Sequence, residues 1–409
     1  MPRWNMKVKE QSPELVLGQH YEQHIRQRPV HNEGGQPRNS MDIPKDLKEA
    51  MEGARELMKA KRLDEALKAY EAILERYPEA ALAYVGIGNI HASRGEYDDA
   101  LEYYSGALHI RKNLPPALIM SGNVYFKQGL LDKALEKYKE ALEINPGLGV
   151  AQLSISRIYA NSGKLNEAID CLNAALKHNP QLEEARLALA GIYQRMGKTD
   201  AALKELTGVV ASRPDSLQAQ FQYAKMLVGL GKFKQAIDPC KKAIIIKPEG
   251  AFLHCLLGRA YYGTGEYELA LSEYKKALEI NADIQIAKIG IVSSNMERGN
   301  LVDAKKMLIG MTKGAQNLGL AHRLLGDILI QEGAYLDAVA EFQAAVLHSK
   351  GLVEIHPELL TIQSVDGNDR ATAEAYHRAF AQIDIDSMII LEGGSSVESS
   401  NEEGYIDWR

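Results

Sequence analysis

Along most of the chain, apolar residues recur at helical spacing in short amphipathic runs, and glycine or polar residues separate the runs. The pattern keeps a clock of 34 residues, which alanine marks most clearly: Ala66, Ala100, Ala134, Ala168, Ala202, Ala236, Ala270, Ala304 and Ala338. Five residues before each alanine stands Gly95, Gly129, Gly163, Gly197, Gly231, Gly265, Gly299 or Gly333, with Lys61 the one break. Twelve residues before it stands a small side chain: Ala54, Gly88, Gly122, Ser156, Ala190, Ala224, Gly258 or Gly326, with Val292 the exception. Four residues after it a bulky residue follows, as in Tyr70, Tyr104, Tyr138, Leu172, Leu206, Tyr274, Leu308 and Phe342. Chance does not phase four series together, so the chain is read as a tandem repeat.

Each series has a physical cause. The glycine lies where one helix stops and the chain reverses, and glycine takes the left-handed conformation that ends a helix without a Cβ clash. The two small residues face each other across the helix pair and let the axes approach. The bulky residue stands one turn on from the alanine and fills the space around it. Pro78, Pro146, Pro180, Pro214 and Pro248 close the second helix, which proline cannot continue. The spacing predicts nine helix pairs starting at Leu47, Ala81, Pro115, Gly149, Glu183, Leu217, Ala251, Gln285 and Gly319. A degenerate tenth unit spans 353–386, with Thr372 in place of the alanine and Leu360 in place of the small residue. Its run Ala373, Tyr376, Phe380, Ile383 keeps one apolar face, as expected of a C-terminal cap on the last open repeat. Repeat eight, with Val292, Asn295, Gly310 and Gly314, is expected to be the loosest.

The period, the alanine and glycine positions and the closing prolines resemble the tetratricopeptide repeat over residues 47–352. The resemblance implies an all-α protein, a right-handed α-solenoid superhelix of about nine to ten helix pairs. It also implies that the first helices of successive repeats line a concave groove that grips a peptide or protein segment. Residues 1–46 read as a flexible N-terminal extension, in which Met41 would itself serve as a natural start, and 387–409 as an acidic flexible tail.

Composition narrows the function further. A net charge of -6 gives no general attraction to nucleic acid or an anionic membrane. No stretch approaches the roughly 18 apolar residues of a membrane span. Three cysteines, Cys171, Cys240 and Cys255, are too few for a disulfide framework and too scattered for a CxxC site, which points to a reducing, cytoplasmic setting. No phosphate-cradling loop or nucleophile elbow is present, so no catalytic residue, cofactor or metal is assigned. His20 and His24 stand at i, i+4 spacing but lack a third ligand.

The remaining candidate is the face of the first helices. Next to the small residue runs an apolar stripe: Met51, Val85, Ile119, Leu153, Leu187, Phe221, Cys255 and Ile289. One residue beyond the small one, and one turn further on, lie two polar stripes. Of their 18 positions seven are basic, namely Arg55, Lys59, Lys127, Arg157, Arg195, Lys225 and Arg259, where the chain average predicts roughly two. The two acids, Glu297 and Asp327, lie in the last two repeats. Asn89 and Asn123 suit a peptide backbone, since an amide both donates and accepts. His254 and His322 are expected as further polar lining. The family's clamp for C-terminal carboxylates needs lysine four residues before the asparagine; Val85 and Ile119 stand there, so the clamp is absent. The expected function is a scaffold or adaptor whose groove (Arg55, Lys59, Asn89, Asn123, Lys127, Leu153, Arg157, Arg195, Phe221, Lys225, Arg259) takes an acidic or amphipathic protein segment. The alternatives are a trans-acting regulatory or substrate-recruiting subunit of an enzyme, and self-association, including docking of the acidic tail.

Overall fold

A computed structural model of the chain describes residues 44–313, 319–349, 356, 359–360, 362 and 368–383. The N-terminal extension with His20 and His24, the acidic tail, Gly314 and most of 353–367 lie outside the described residues. Among the described residues there are 19 α-helices and no strand. They form two compact units, one up to Gly197 and one from Lys198.

Unit 1 contains α1 Lys45–Lys59, α2 Leu63–Arg76, α3 Ala81–Ser93, α4 Tyr97–Ile110, α5 Pro115–Lys127, α6 Leu131–Ile144, α7 Gly149–Asn161, α8 Leu165–His178 and α9 Glu183–Arg195. Unit 2 contains α10 Thr199–Ser212, α11 Leu217–Gly229, α12 Phe233–Ile246, α13 Ala251–Gly263, α14 Tyr267–Ile280, α15 Gln285–Glu297, α16 Leu301–Thr312, α17 Gly319–Gln331, α18 Tyr335–His348 and α19 Asp369–Ala381. Within each unit every helix packs on the one before and the one after it, so each unit is a helical solenoid of repeats. The apolar end of the array is covered by α19, which packs on α17 and α18. There Phe380 and Tyr376 stack on Phe342 at 5.6 and 5.9 Å.

The phased residues do what their spacing predicts. All nine alanines of the clock are fully buried. The glycines between helices have φ from 67 to 80°, and in the repeat without one Lys61 takes the same left-handed turn at φ 57°. The turn closes the same way with either residue. Glu96 N donates to His91 O at 2.9 Å, and Arg62 N donates to Leu57 O at 3.0 Å, so Lys61 bears a strain that glycine would not.

The small residue and the bulky one are a matched pair. A Cβ on Gly88 would lie 2.5 Å from the Tyr104 ring, and one on Gly122 would lie 2.6 Å from Tyr138. On Gly326 it would lie 2.7 Å from Phe342. A flat ring thus needs glycine opposite it. Val292 is tolerated because its repeat carries Leu308 in place of a ring, and both side chains are fully buried in one core. In repeat one Ala54 and Tyr70 share a core, and the Tyr70 ring lies against Gly86 of the next repeat as Tyr274 lies against Gly290.

A second recurring device joins consecutive repeats. At Pro180, Pro214 and Pro248 the carbonyl of the closing proline meets an N–H of the side chain six residues later, and three different side chains serve. Arg186 Nη2 donates to Pro180 O at 3.1 Å, Gln220 Nε2 donates to Pro214 O at 2.9 Å, and His254 Nε2 lies 3.1 Å from Pro248 O. These carbonyls lie just past a helix end, where the helix itself supplies no donor. In α12 a proline also sits inside the helix, at Pro239, and the helix continues through it. Such a position costs an isolated helix about 3 kcal/mol, so packing holds it.

Candidate functional site

In unit 1 the first helices α1, α3, α5, α7 and α9 carry the expected site residues. The apolar stripe is not a groove lining. Met51, Val85, Ile119 and Leu187 are buried, as are Cys255 and Ile289 in unit 2. The reason is register: three residues before the small residue, a side chain points at the next repeat. Ile119 of α5, for example, shares a core with Ala151, Ile155 and Ile158 of α7. Only Leu153 and Phe221 of this stripe remain half-buried and open to a ligand. Each has a cation one turn on, Arg157 after Leu153 and Lys225 after Phe221.

The basic residues of unit 1 divide by their partners. Lys59 is hydrogen-bonded to Glu56 at 2.6 Å, and that bond, the largest cause, raises its pKa. Arg55 stands 3.7 Å from Glu52. Lys127 and Arg195 are exposed and have no ion pair among the described residues. Arg157 lies with its guanidinium carbon 4.2 Å from the centroid of the Phe126 ring. Its Nε is shielded from solvent and has no hydrogen-bond partner among the described residues. The free positive charge of this face therefore gathers in repeats three to five.

Asn89 and Asn123 depart from expectation. Tyr104 Oη donates to Asn89 Oδ1 at 2.8 Å, and Tyr138 Oη donates to Asn123 Oδ1 at 2.7 Å. The buried tyrosines need an acceptor for the hydroxyl, and the asparagines supply it. The amide oxygen is thereby engaged and oriented, and the NH2 end of Asn123 is in weak contact with Met120 Sδ at 3.8 Å. These asparagines therefore hold the core tyrosines as well as facing the groove side of their helices. Burial is the main reason both tyrosines titrate above their ordinary range.

In unit 2 Lys225 is exposed, without an ion pair among the described residues, and Arg259 is half-buried. Beyond them the character changes. Glu297 accepts from Tyr262 Oη at 3.5 Å and from Tyr267 Oη at 3.4 Å. Burial first, then the Glu297 charge, pushes Tyr262 up to about 12. Asp327 is held 2.9 Å from His377 Nδ1 of α19.

His254 and His322 are not lining; both are buried. His254 Nδ1 lies 2.7 Å from Glu273 Oε2, and Lys276 donates to the other oxygen of that carboxylate at 2.7 Å. His322 Nδ1 lies 2.5 Å from Glu341 Oε2, with His348 stacked on the ring at 5.3 Å. The first helix of a repeat thus binds a glutamate of the second, in repeats seven and nine alike. A lone histidine on a helix face gives little sign of this; the matching glutamate 19 residues on is the signal the sequence offered.

Nucleophiles are suppressed. Burial pushes the thiols of Cys240 and Cys255 up to about 12 and raises that of Cys171, so the thiolate is disfavoured at each. Ligand atoms of His91, Glu96 and Asp99 come within 4.8 Å of one another. Glu96 and Asp99 stand at the start of α4 and His91 in the last turn of α3, and His91 is already engaged by Glu96 at 2.6 Å and stacked on Tyr103.

Models of the tetratricopeptide repeat match residues 51–117, 125–190, 162–227 and 251–284. No curated protein matches the chain. Among solved structures it is similar to a tetratricopeptide repeat protein from Parabacteroides merdae ATCC 43184. That match has 21% identity and a TM-score of 0.44, covering 62% of this chain and 99% of that one. TTC0263, a thermophilic protein of the same kind from Thermus thermophilus, matches at 24% identity and a TM-score of 0.40, over 44% of this chain and 99% of that one. YrrB, described as a TPR protein with an unusual peptide-binding site, matches at 21% identity and a TM-score of 0.30, over 54% of this chain and 96% of that one.

Proposed function

This chain belongs to the tetratricopeptide-repeat family, and from that premise we propose that it is a scaffold or adaptor that holds an acidic, partly apolar segment of another protein on its first helices. Repeats of this family are in general non-enzymatic interaction modules, and their partners are proteins or peptides. The observation that carries the finer reading is the pairing of access and charge. The apolar stripe opens at Leu153 and Phe221 alone, and Arg157 and Lys225 stand one turn from those two openings. A ligand that alternates an apolar side chain with Asp or Glu matches either opening.

Two features favour a ligand on this face over end-to-end self-assembly. The outer surface of α1 is charged, with Lys45, Glu49, Glu52 and Glu56 exposed. At the other end α19 covers the apolar side of repeat nine. No helix among the described residues is long and apolar enough to cross a membrane. Three free thiols held protonated suit a reducing compartment such as the cytoplasm.

Reversing Lys127, Arg157 and Arg195 to Glu in the full chain tests the reading. Proteins captured from an extract by the unaltered chain, identified by mass spectrometry, should be lost by the reversed variant and by raised salt, because exposed charges are screened. An identical set captured by both proteins would overturn it.

A further inference from the structure

We infer that Arg157, stacked on Phe126, is the anchor that selects a side-chain carboxylate of the bound segment, an inference that rests on the groove reading above. The guanidinium carbon lies over the ring, 4.2 Å from its centroid, so Phe126 supports the group before any ligand arrives. Arg157 is half-buried, and its shielded Nε makes no hydrogen bond among the described residues. An arginine retained for packing bonds its own chain: Arg323, whose Nε is likewise unmet, still gives Nη1 to Ile383 O at 3.0 Å. Arg186 does so too, giving Nε and Nη2 to Pro180 O at 3.2 and 3.1 Å. Arg157 keeps its outward edge for something else.

Its surroundings state what that is. Asn123, at the same position one repeat earlier, is held by its oxygen to Tyr138 and carries no charge. Lys127 and Arg195 are cations with no ion pair among the described residues. In unit 1 neither polar stripe contains an acid. The charged side chains of this face are all cations, and their positive charge calls for an anion. A planar fork on a rigid support matches the two oxygens of one carboxylate. Gly191, at the same position in the next repeat, adds no side chain beside it. Half-buried Leu153, one turn before Arg157, gives an apolar neighbour of the carboxylate a surface to rest on. The recognised unit is thus an Asp or Glu adjacent to an apolar residue.

The test selects peptides on the full chain from a phage-displayed library of random 12-residue sequences, then measures one synthetic winner by fluorescence anisotropy. The winners should carry Asp or Glu next to an apolar residue. Affinity should fall at least tenfold when that acid becomes Gln or Asn. It should fall similarly with Arg157→Lys, which keeps the charge but loses the fork, and with Phe126→Leu, which removes the support. Circular dichroism of both variants guards against unfolding, and Arg157→Lys alone decides the matter if Phe126→Leu loses helix. Affinity unchanged by Arg157→Lys, but lost with Lys127→Glu or Arg195→Glu, would overturn the anchor and leave the groove reading standing. Winners without an acid, or no winners at all, would overturn both.

Discussion

The two units use the same repeat for opposite ends. In unit 1 the cations of the first helices are open to a ligand, Lys127 and Arg195 exposed and Arg157 half-buried. In unit 2 Lys225 is still exposed, but further along the first helices charge is drawn into the packing. His254 and His322 reach glutamates of the second helices, and Asp327 reaches α19. Arg323 donates from Nη1 to Ile383 O at 3.0 Å. Even the aromatic residue four positions after the small one differs in use: Phe126 supports an arginine, whereas Tyr262 donates to Glu297. A repeat position therefore fixes where a side chain stands but not whether it serves the surface or the interior. The neighbouring helix decides that.

The largest expected effect comes from removing a charge of each kind. His254→Ala takes the partner from Glu273 and from Pro248 O in a buried setting, and should destabilise unit 2 by about 2–3 kcal/mol. Arg157→Ala removes a cation with no hydrogen bond among the described residues, and should cost unit 1 less than about 1 kcal/mol. Hydrogen exchange of α13 and α14 for the first, and of α7 and α8 for the second, reports each unit separately, which a single melting curve of a repeat array would blur. Equal losses of protection would break the contrast between the units.

Next comes the ring-and-glycine pair, because unit 2 holds a natural alternative to it. Gly122→Val should overpack against Tyr138 and cost roughly 1–3 kcal/mol. Tyr138→Leu alone should also destabilise, by a cavity and by the loss of the hydrogen bond to Asn123. The double variant reproduces the Val292 and Leu308 pair of repeat eight. It should be less harmful than the two single effects added, by at least about 1 kcal/mol in a double-mutant cycle. Strict additivity would show that the two positions do not face each other.

Smaller gains are expected where the backbone alone is at fault. Lys61→Gly relieves a left-handed lysine and should stabilise unit 1 by about 0.5–1 kcal/mol. Gly310→Ala in α16 meets nothing within 4 Å of the added Cβ and should stabilise unit 2 by roughly 1 kcal/mol. A loss of denaturation midpoint in either variant would contradict the local geometry.

The residues with a single possible job were legible in the sequence. The clock alanines, the turn glycines and the helix-ending prolines are fixed by sterics, and every alanine is indeed buried. The exceptions were legible as exceptions but not as compensations. Val292 makes sense only beside Leu308. The site residues were harder, because helical periodicity gives a face without saying what lies over it. Most of the apolar stripe proved to be core, and the buried histidines had looked like surface. The proline-carbonyl device was invisible because Arg186, Gln220 and His254 share no chemistry beyond an N–H of the right reach.

The smallest effect tests the contrast by sign. In unit 1 Asp46 is exposed and accepts a hydrogen bond from Tyr77 at 2.6 Å; that bond, with Arg76 nearby, holds its carboxyl below 3.8. Its contribution is therefore present above the ordinary carboxylate value and is lost as pH falls through its lowered pKa. In unit 2 burial raises the carboxyl of Asp327, and the hydrogen bond from His377 and the charge of Arg323 offset this only in part. The folded chain then keeps the proton at a pH where the unfolded chain has released it. Asp327 consequently adds stability as pH falls through the window just above 3.8 and withdraws it as pH rises. Replacing each aspartate by asparagine removes its titration. Measured from neutral pH down through that window and below it, stability relative to Asp327→Asn should shift in favour of the unaltered chain. Relative to Asp46→Asn it should shift against it, at still lower pH and by less, because that carboxylate is solvated. Two shifts of the same sign would mean that α19 does not bury Asp327, and the division between a unit that displays its charges and one that encloses them would lose its C-terminal support.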